Sequence, residues 1–202
     1  FKRDPLCFAT SMIHYGESAL RGGFVRMPPF TFKKHDMAAP LSQRITRMPT
    51  GGPFAPLAMG EVYGDGKFGL SFEIFPPKTS AGDDSLKRTL ERLTAYRPSF
   101  VSCTYGAGGS TQARTADWCR RIQSEFGTTA VSHFTCVGSS KEKLIDWLNA
   151  ANEAGIANIM ALRGDAAEGQ ESFQAVSGGF AHANELVALI RERFPQLGIG
   201  VA

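Results

Sequence analysis

Five polar side chains stand in or just beyond apolar, strand-like runs: Glu73, Thr104, His133, Arg163 and Asp165. Glu73 sits between Phe72 and Ile74. Alternation therefore turns it, with Ser71 and Phe75, away from the face that carries Leu70, Phe72 and Ile74. A carboxyl on such a strand is either hydrogen-bonded or has its pKa raised, because burial disfavours the charged form. A pKa moved toward neutrality suits a general acid; a structural hydrogen-bond acceptor is the competing reading. Arg163-Gly164-Asp165 directly follows the apolar run that ends at Leu162. Gly164 permits a close backbone approach or a turn closed to other residues, and Asp165 can accept a hydrogen bond from a polar ring. An Arg–Asp surface pair is the plainer alternative there. His133 shares its phase with Val131 and Thr135, and no second ligand at metal-binding spacing accompanies it. Thr104 and Tyr105 lead through Gly106-Ala-Gly-Gly109 to Ser110-Thr111, offering a hydroxyl, an aromatic ring and a permissive loop before a helix. Such loops hold phosphate on backbone N–H groups in some proteins, but glycine loops are common.

The elements that must position these groups repeat evenly. Strands are expected over 68–75, 99–105, 129–135 and 158–162, with a fifth starting at 199. Between them lie helices: one capped by Asp83 or Asp84 with Leu86, Leu90 and Leu93 on one stripe, one from Ser110 or Thr111 to about Phe126, one over 140–154 and one over about 182–194. Gly127 and Gly155 stop the middle two. A repeat of about 28 to 30 residues is one strand, one crossover helix and two short loops. The pattern predicts an α/β fold, a (β/α)8 TIM barrel, with a doubly wound sheet as runner-up. No GxGxxG follows the first strand; Pro76-Pro77 stands there. Four βα units and the start of a fifth strand make an incomplete barrel, so residues 67–202 are expected to be the N-terminal half of a barrel needing roughly 100 further residues. In such barrels the working groups gather at the C-terminal ends of the strands.

Residues 1–66 show no sustained period and contain seven of the eleven prolines. They are expected to be an irregular or disordered extension, with at most a short helix over 16–21. Residues 1–60 carry a net charge of +5 and the remainder −2. A nucleic-acid partner is not expected, because the folded part lacks the basic excess. An organelle-targeting role for the Arg-rich start is the minority reading against a cytoplasmic protein. No run approaches the roughly 20 apolar residues of a membrane span. The four cysteines, Cys7, Cys103, Cys119 and Cys136, form no CxxC pair, which points to a reducing compartment and buried thiols.

The blocks LSFEIFPPKT from Leu70, FVSCTYG from Phe100, HFTC from His133 and NIMALRGD from Asn158, together with Gly178-Gly-Phe180, Glu185-Leu-Val187 and Gly200-Val-Ala202, resemble the methylenetetrahydrofolate reductases. The resemblance covers 68–202 in order and spacing. It implies a flavin-binding TIM barrel with FAD as cofactor, NAD(P)H as reductant and 5,10-methylenetetrahydrofolate as the substrate reduced to 5-methyltetrahydrofolate. The family's general acid falls on Glu73, and Asp165 falls near flavin and folate. Thr104, Tyr105, His133, Leu162, Arg163, Gly164, Asp165, His182, Ala183 and Ala202 fall at flavin-contact positions. At His182 the family usually carries tyrosine, and an imidazole lacks the reach of a phenol. A homo-oligomer is expected of the full-length protein, and the 202-residue piece alone is expected to be inactive. The competing functions are a non-catalytic truncated remnant and a cofactor-free barrel lyase. The lyase would need a Schiff-base lysine or a metal site near the strand ends, and 68–202 supplies neither.

Overall fold

The computed structural model describes residues 10–14, 54–62, 69–105, 112–166 and 172–201; for 10–14 and for Gln112 only the backbone is described. The elements in chain order are β1 (Thr10–His14), α1 (Met59–Val62), β2 (Gly69–Ile74), α2 (Ser80–Thr94), β3 (Phe100–Cys103), α3 (Gln112–Phe126), β4 (Ala130–Thr135), α4 (Lys141–Glu153), β5 (Asn158–Leu162), α5 (Ala183–Arg193) and β6 (Gly198–Val201). The strands form one sheet in sequence order. β1 runs antiparallel to β2, and the four pairings from β2 to β6 are parallel. Each parallel neighbour is reached through one long helix, the connection that parallel strands require. Strands β2–β6 and helices α2–α5 are thus the successive units of an incomplete (β/α)8 barrel.

Alternation splits every strand between two environments. Ile74, Val101, Cys103, Ala130, Phe134, Ile159 and Ala161 face the helices and form the main core with Leu86, Trp118, Leu144, Leu148 and Ile190. Phe134 stacks on Trp147 at 4.1 Å between centroids. Each fully buried leucine of this layer contributes about 2 kcal/mol. The other face carries Ser71, Glu73, Ser102, Val131, His133, Thr135, Met160 and Leu162, as the register pairs Glu73 with Ser102, His133 with Met160 and Thr135 with Leu162.

The helices begin and end close to their expected limits, with one revision. α2 starts a turn earlier than an Asp83 or Asp84 cap allows. Thr79 is the N-cap, and its Oγ1 accepts from the Gly82 N–H at 3.2 Å. Asp83, released from capping, accepts two hydrogen bonds from Arg114 Nη2, at 2.5 and 2.7 Å, and one from Trp118 Nε1 at 3.1 Å, tying α2 to α3.

Two elements, β1 and α1, fall inside the stretch 1–66 that was expected to be irregular. The short helix expected over 16–21 lies outside the described residues, as do Phe68 and Ala202 at the ends of the first and last barrel strands. Residues 54–62 lie across the N-terminal ends of the strands. Met59 packs with Phe100 and Val131, and Val62 and Met160 border them. The fastening is polar. Asn158 Oδ1 accepts from the Met59 N–H at 2.9 Å, and its Nδ2 donates to the Leu57 carbonyl at 2.8 Å. The Leu57 N–H in turn donates to Thr129 Oγ1 at 3.2 Å. Gly198 is required beside this clamp, since a Cβ there would lie 2.1 Å from Asn158 Oδ1. Residues 54–62 thus floor the sheet's inner face at the N-terminal strand ends. No helix among the described residues is long and apolar enough to cross a membrane.

Candidate active site

Glu73 lies one residue before the end of β2, and His133 two residues before the end of β4. Both point to the inner face, as the alternation required. In the register Glu73 pairs with Ser102 and Ser102 with Val131, two residues before His133, so the carboxyl and imidazole approach each other diagonally across β3. Glu73 Oε2 stands 3.7 Å from His133 Nε2, with the side chains 20% and 14% exposed. That separation is longer than a hydrogen bond. Burial pushes the Glu73 carboxyl above its ordinary value and lowers the His133 imidazole to about 4. His133 is therefore neutral near pH 7, and the contact is a carboxyl beside a neutral ring rather than an ion pair.

The exit of β5 forms the other wall. Gly164 has φ +89°, and a Cβ there would meet Val137 Cβ at 2.8 Å and Thr135 Cβ at 3.3 Å. Only glycine lets the chain fold down onto the exit of β4. The Cys136 thiol donates to the Arg163 carbonyl at 3.3 Å and fastens the two exits together. No ion pair joins Arg163 and Asp165. The Arg163 guanidinium instead lies 5.1 Å over the Phe173 ring, and its Nε donates to the Gly164 carbonyl at 3.2 Å. Asp165 is exposed at the same end of the sheet as Glu73, just past the end of β5. Thr104 is fixed at the exit of β3: its N–H donates to the Ile74 carbonyl, and its own carbonyl accepts from Thr115 Oγ1 at 2.8 Å. Leu162 is half-buried on the inner face beside Thr135.

Tyr105 needs a correction as part of the cradle. Its ring turns to the helix side, edge-on to Phe134 and Trp147 at 5.7 and 6.1 Å, and burial pushes its phenol up to about 12. It follows Cys103 in phase, so the ring packs into the core and only the backbone can border the mouth. Residues 106–111 of the glycine loop lie outside the described residues. His182 is the exposed N-cap of α5; its N–H donates to Glu185 Oε2 at 2.8 Å, and the Ala181 N–H donates to the same oxygen. Ala183 opens that helix at the mouth. Ala202 lies outside the described residues.

Two inner-face residues were not singled out from the sequence. Ser102 is the short, buried residue of β3 level with Glu73. Thr135 is buried, and its Oγ1 has no hydrogen-bond partner among the described residues. Strand phase alone could have found both, because they alternate with Cys103 and Phe134. A buried hydroxyl of this kind is satisfied by a polar partner.

The family model described as "Methylenetetrahydrofolate reductase" matches residues 58–202. A maize protein named "Methylenetetrahydrofolate reductase (NADH) 1" is 42% identical over 143 residues, covering 70% of this chain and 24% of its own. "Methylenetetrahydrofolate reductase 1" of Schizosaccharomyces pombe is 38% identical over 138 residues, 67% of this chain and 23% of the relative. The Escherichia coli "5,10-methylenetetrahydrofolate reductase" is 34% identical over 127 residues, 63% of this chain and 41% of the relative. The chain thus matches about a quarter of the plant and yeast relatives' length and about two fifths of the bacterial one's. With the fold, the mouth and the family match in agreement, the chain belongs to the methylenetetrahydrofolate reductase family.

Proposed function

We propose that this chain supplies the acid and one wall of the cofactor site in a flavin-dependent reductase that converts 5,10-methylenetetrahydrofolate to 5-methyltetrahydrofolate at the expense of NAD(P)H. What carries the reading is Glu73, a carboxyl pushed toward its protonated form by burial, near the C-terminal end of its strand and beside a neutral imidazole 3.7 Å away. Such an acid holds a proton where a ring nitrogen of the folate can take it. Opening of the five-membered ring then leaves an electrophilic iminium carbon. FAD supplies hydride transfer when bound. The residues that would hold it are Thr104, His133, Leu162, Arg163 and Gly164, with backbone of Tyr105 and Ala183. The Thr135 hydroxyl, without a partner among the described residues, suits a flat polar ring there. Asp165, exposed at the rim, would accept a hydrogen bond from that ring or from the folate. The apolar floor of Met59, Phe100 and Val131 closes the far side to water. NADH is the reductant to try first, because the maize relative carries it in its name.

The test is a chimera in which residues 58–202 replace the matching stretch of the Escherichia coli reductase. The product should be yellow, bind FAD in a one-to-one ratio and oxidise NADH with methylenetetrahydrofolate as acceptor. Glu73→Gln should remove folate reduction by at least about 100-fold while leaving FAD bound, the scale of a lost general acid. A folded, colourless chimera, or folate turnover indifferent to Glu73→Gln, overturns the reading.

A further inference from the structure

The contact between Glu73 and His133 has a directional consequence for the imidazole. A neutral ring has one N–H and one bare nitrogen, so the nitrogen opposite Glu73 Oε2 is either a donor or an acceptor. A donor suits both states of the carboxyl: the carbonyl oxygen of the acid accepts from it, and so does the carboxylate. A bare nitrogen suits only the protonated acid and faces the carboxylate lone pair to lone pair. A group that must give up a proton and regain it in each cycle passes through both states. Only the donor tautomer serves it throughout.

We propose that His133 is a positioning residue for Glu73: its Nε2–H donates to Oε2, fixes the carboxyl over the mouth and leaves Oε1 free for proton transfer. The inference rests on Glu73 being the acid of the proposed reaction. A closing movement of about 0.8 Å brings the present 3.7 Å to hydrogen-bond length, the kind of tightening that accompanies substrate binding.

The surroundings allow this. Among the described side chains, the inner face offers Ser102 and Thr104 from β3 and its exit, Val131 and Thr135 from β4, Met160 and Leu162 from β5, with Gly200 from β6. None of these is charged. Among the described side chains, the remaining titratable groups nearby are the Cys103 thiol on the opposite face of β3, and Arg163 and Asp165 at the exit of β5. Ser102, being short, keeps the path between the two strands clear.

Two measurements on the purified 202-residue chain decide the matter. In the wild type, long-range proton–nitrogen NMR at pH 7 should show His133 protonated at Nε2 and bare at Nδ1; a bare Nε2 overturns the proposal without any variant. Carbon-13 titration of Glu73 should then show its midpoint rising by about one pH unit in His133→Phe, which keeps the ring and loses the donor. His133→Gln, which retains an N–H, should bring the midpoint back most of the way. A midpoint the same in His133→Phe as in wild type overturns the proposal. A residue that only packs against the floor would move neither the tautomer nor the return with glutamine. The chimera reads the reductase assignment separately. A colourless chimera with the Nε2–H tautomer present refutes the reductase alone, and a yellow, active one with a bare Nε2 refutes the role of His133 alone.

Discussion

Replacing Asn158 by leucine, a side chain of similar size, should unfasten the floor of the sheet. Asn158 is fully buried and makes two hydrogen bonds to backbone, one to the Met59 N–H at 2.9 Å and one to the Leu57 carbonyl at 2.8 Å. Leucine keeps the volume and removes both. A buried N–H left without a partner costs about 1–3 kcal/mol, and the partly exposed carbonyl, which water can reach, about 1 kcal/mol or less. The expected loss is therefore about 2–4 kcal/mol. With a urea dependence of about 2 kcal/mol/M, the unfolding midpoint should fall by about 1–2 M. Hydrogen exchange gives the local readout, because the Met59 amide should lose its protection relative to the amides of β3 and β4. Gly198 supplies an independent check. A Cβ at 198 would lie 2.1 Å from Asn158 Oδ1, so Gly198→Ala should be costly in the wild type and cheaper by about 1 kcal/mol beside Asn158→Ala. Strictly additive effects, or an Asn158→Leu chain with an unmoved midpoint and a protected Met59 amide, would refute the clamp.

His133 should make stability depend on pH. Its folded pKa, about 4, lies below the ordinary 6.5, so the unfolded chain binds the extra proton between those values and stability falls as pH drops through that window, by up to about 3 kcal/mol. Glu73, raised by burial, has the opposite sign: its contribution is present below the ordinary carboxylate value and is lost as pH rises through its folded pKa. Thermal melts from pH 4 to 7 in Glu73→Gln should therefore show the histidine slope alone, and His133→Phe in that background should flatten it. Gly164→Ala adds a side chain at φ +89° against Val137 and should lower stability by about 2 kcal/mol, read in melting; an unchanged melting temperature would contradict the close approach. Asp83→Ala removes the shared acceptor of Arg114 and Trp118. Because both charged partners are partly exposed, only about 1 kcal/mol is expected, and a shift in Trp118 fluorescence should accompany it.

Most of the barrel architecture could be read from period alone. A strand of alternating phase, a helix stopped by glycine and a spacing near 29 residues leave little freedom in a parallel sheet, so β5 has the limits expected and α4 differs by one residue at each end. The same phase placed Glu73 and His133 on one face. It could also have placed Tyr105 on the opposite one, but an aromatic ring beside a glycine loop was read as part of a cradle rather than as core. Thr79 was passed over as a cap because two aspartates in the next turn looked better suited. They lie inside the helix, where Asp83 serves Arg114 instead. The floor was illegible for a different reason. α1 is one turn long and follows a proline-rich run, and what holds it is an amide about a hundred residues further along. No local pattern announces a partner at that distance.

That distance sets a timetable for synthesis. The bond from Asn158 to the Leu57 carbonyl spans 101 residues. At about 5–20 residues per second, the stretch around Met59 leaves the ribosome roughly 5–20 seconds before the strand that anchors it. During that interval Phe54, Leu57 and Met59 have no sheet to rest against and present a short greasy peptide next to half-made βα units. A nascent chain halted before Asn158 should recruit chaperones at this stretch, and one halted well after Val201 has emerged should not.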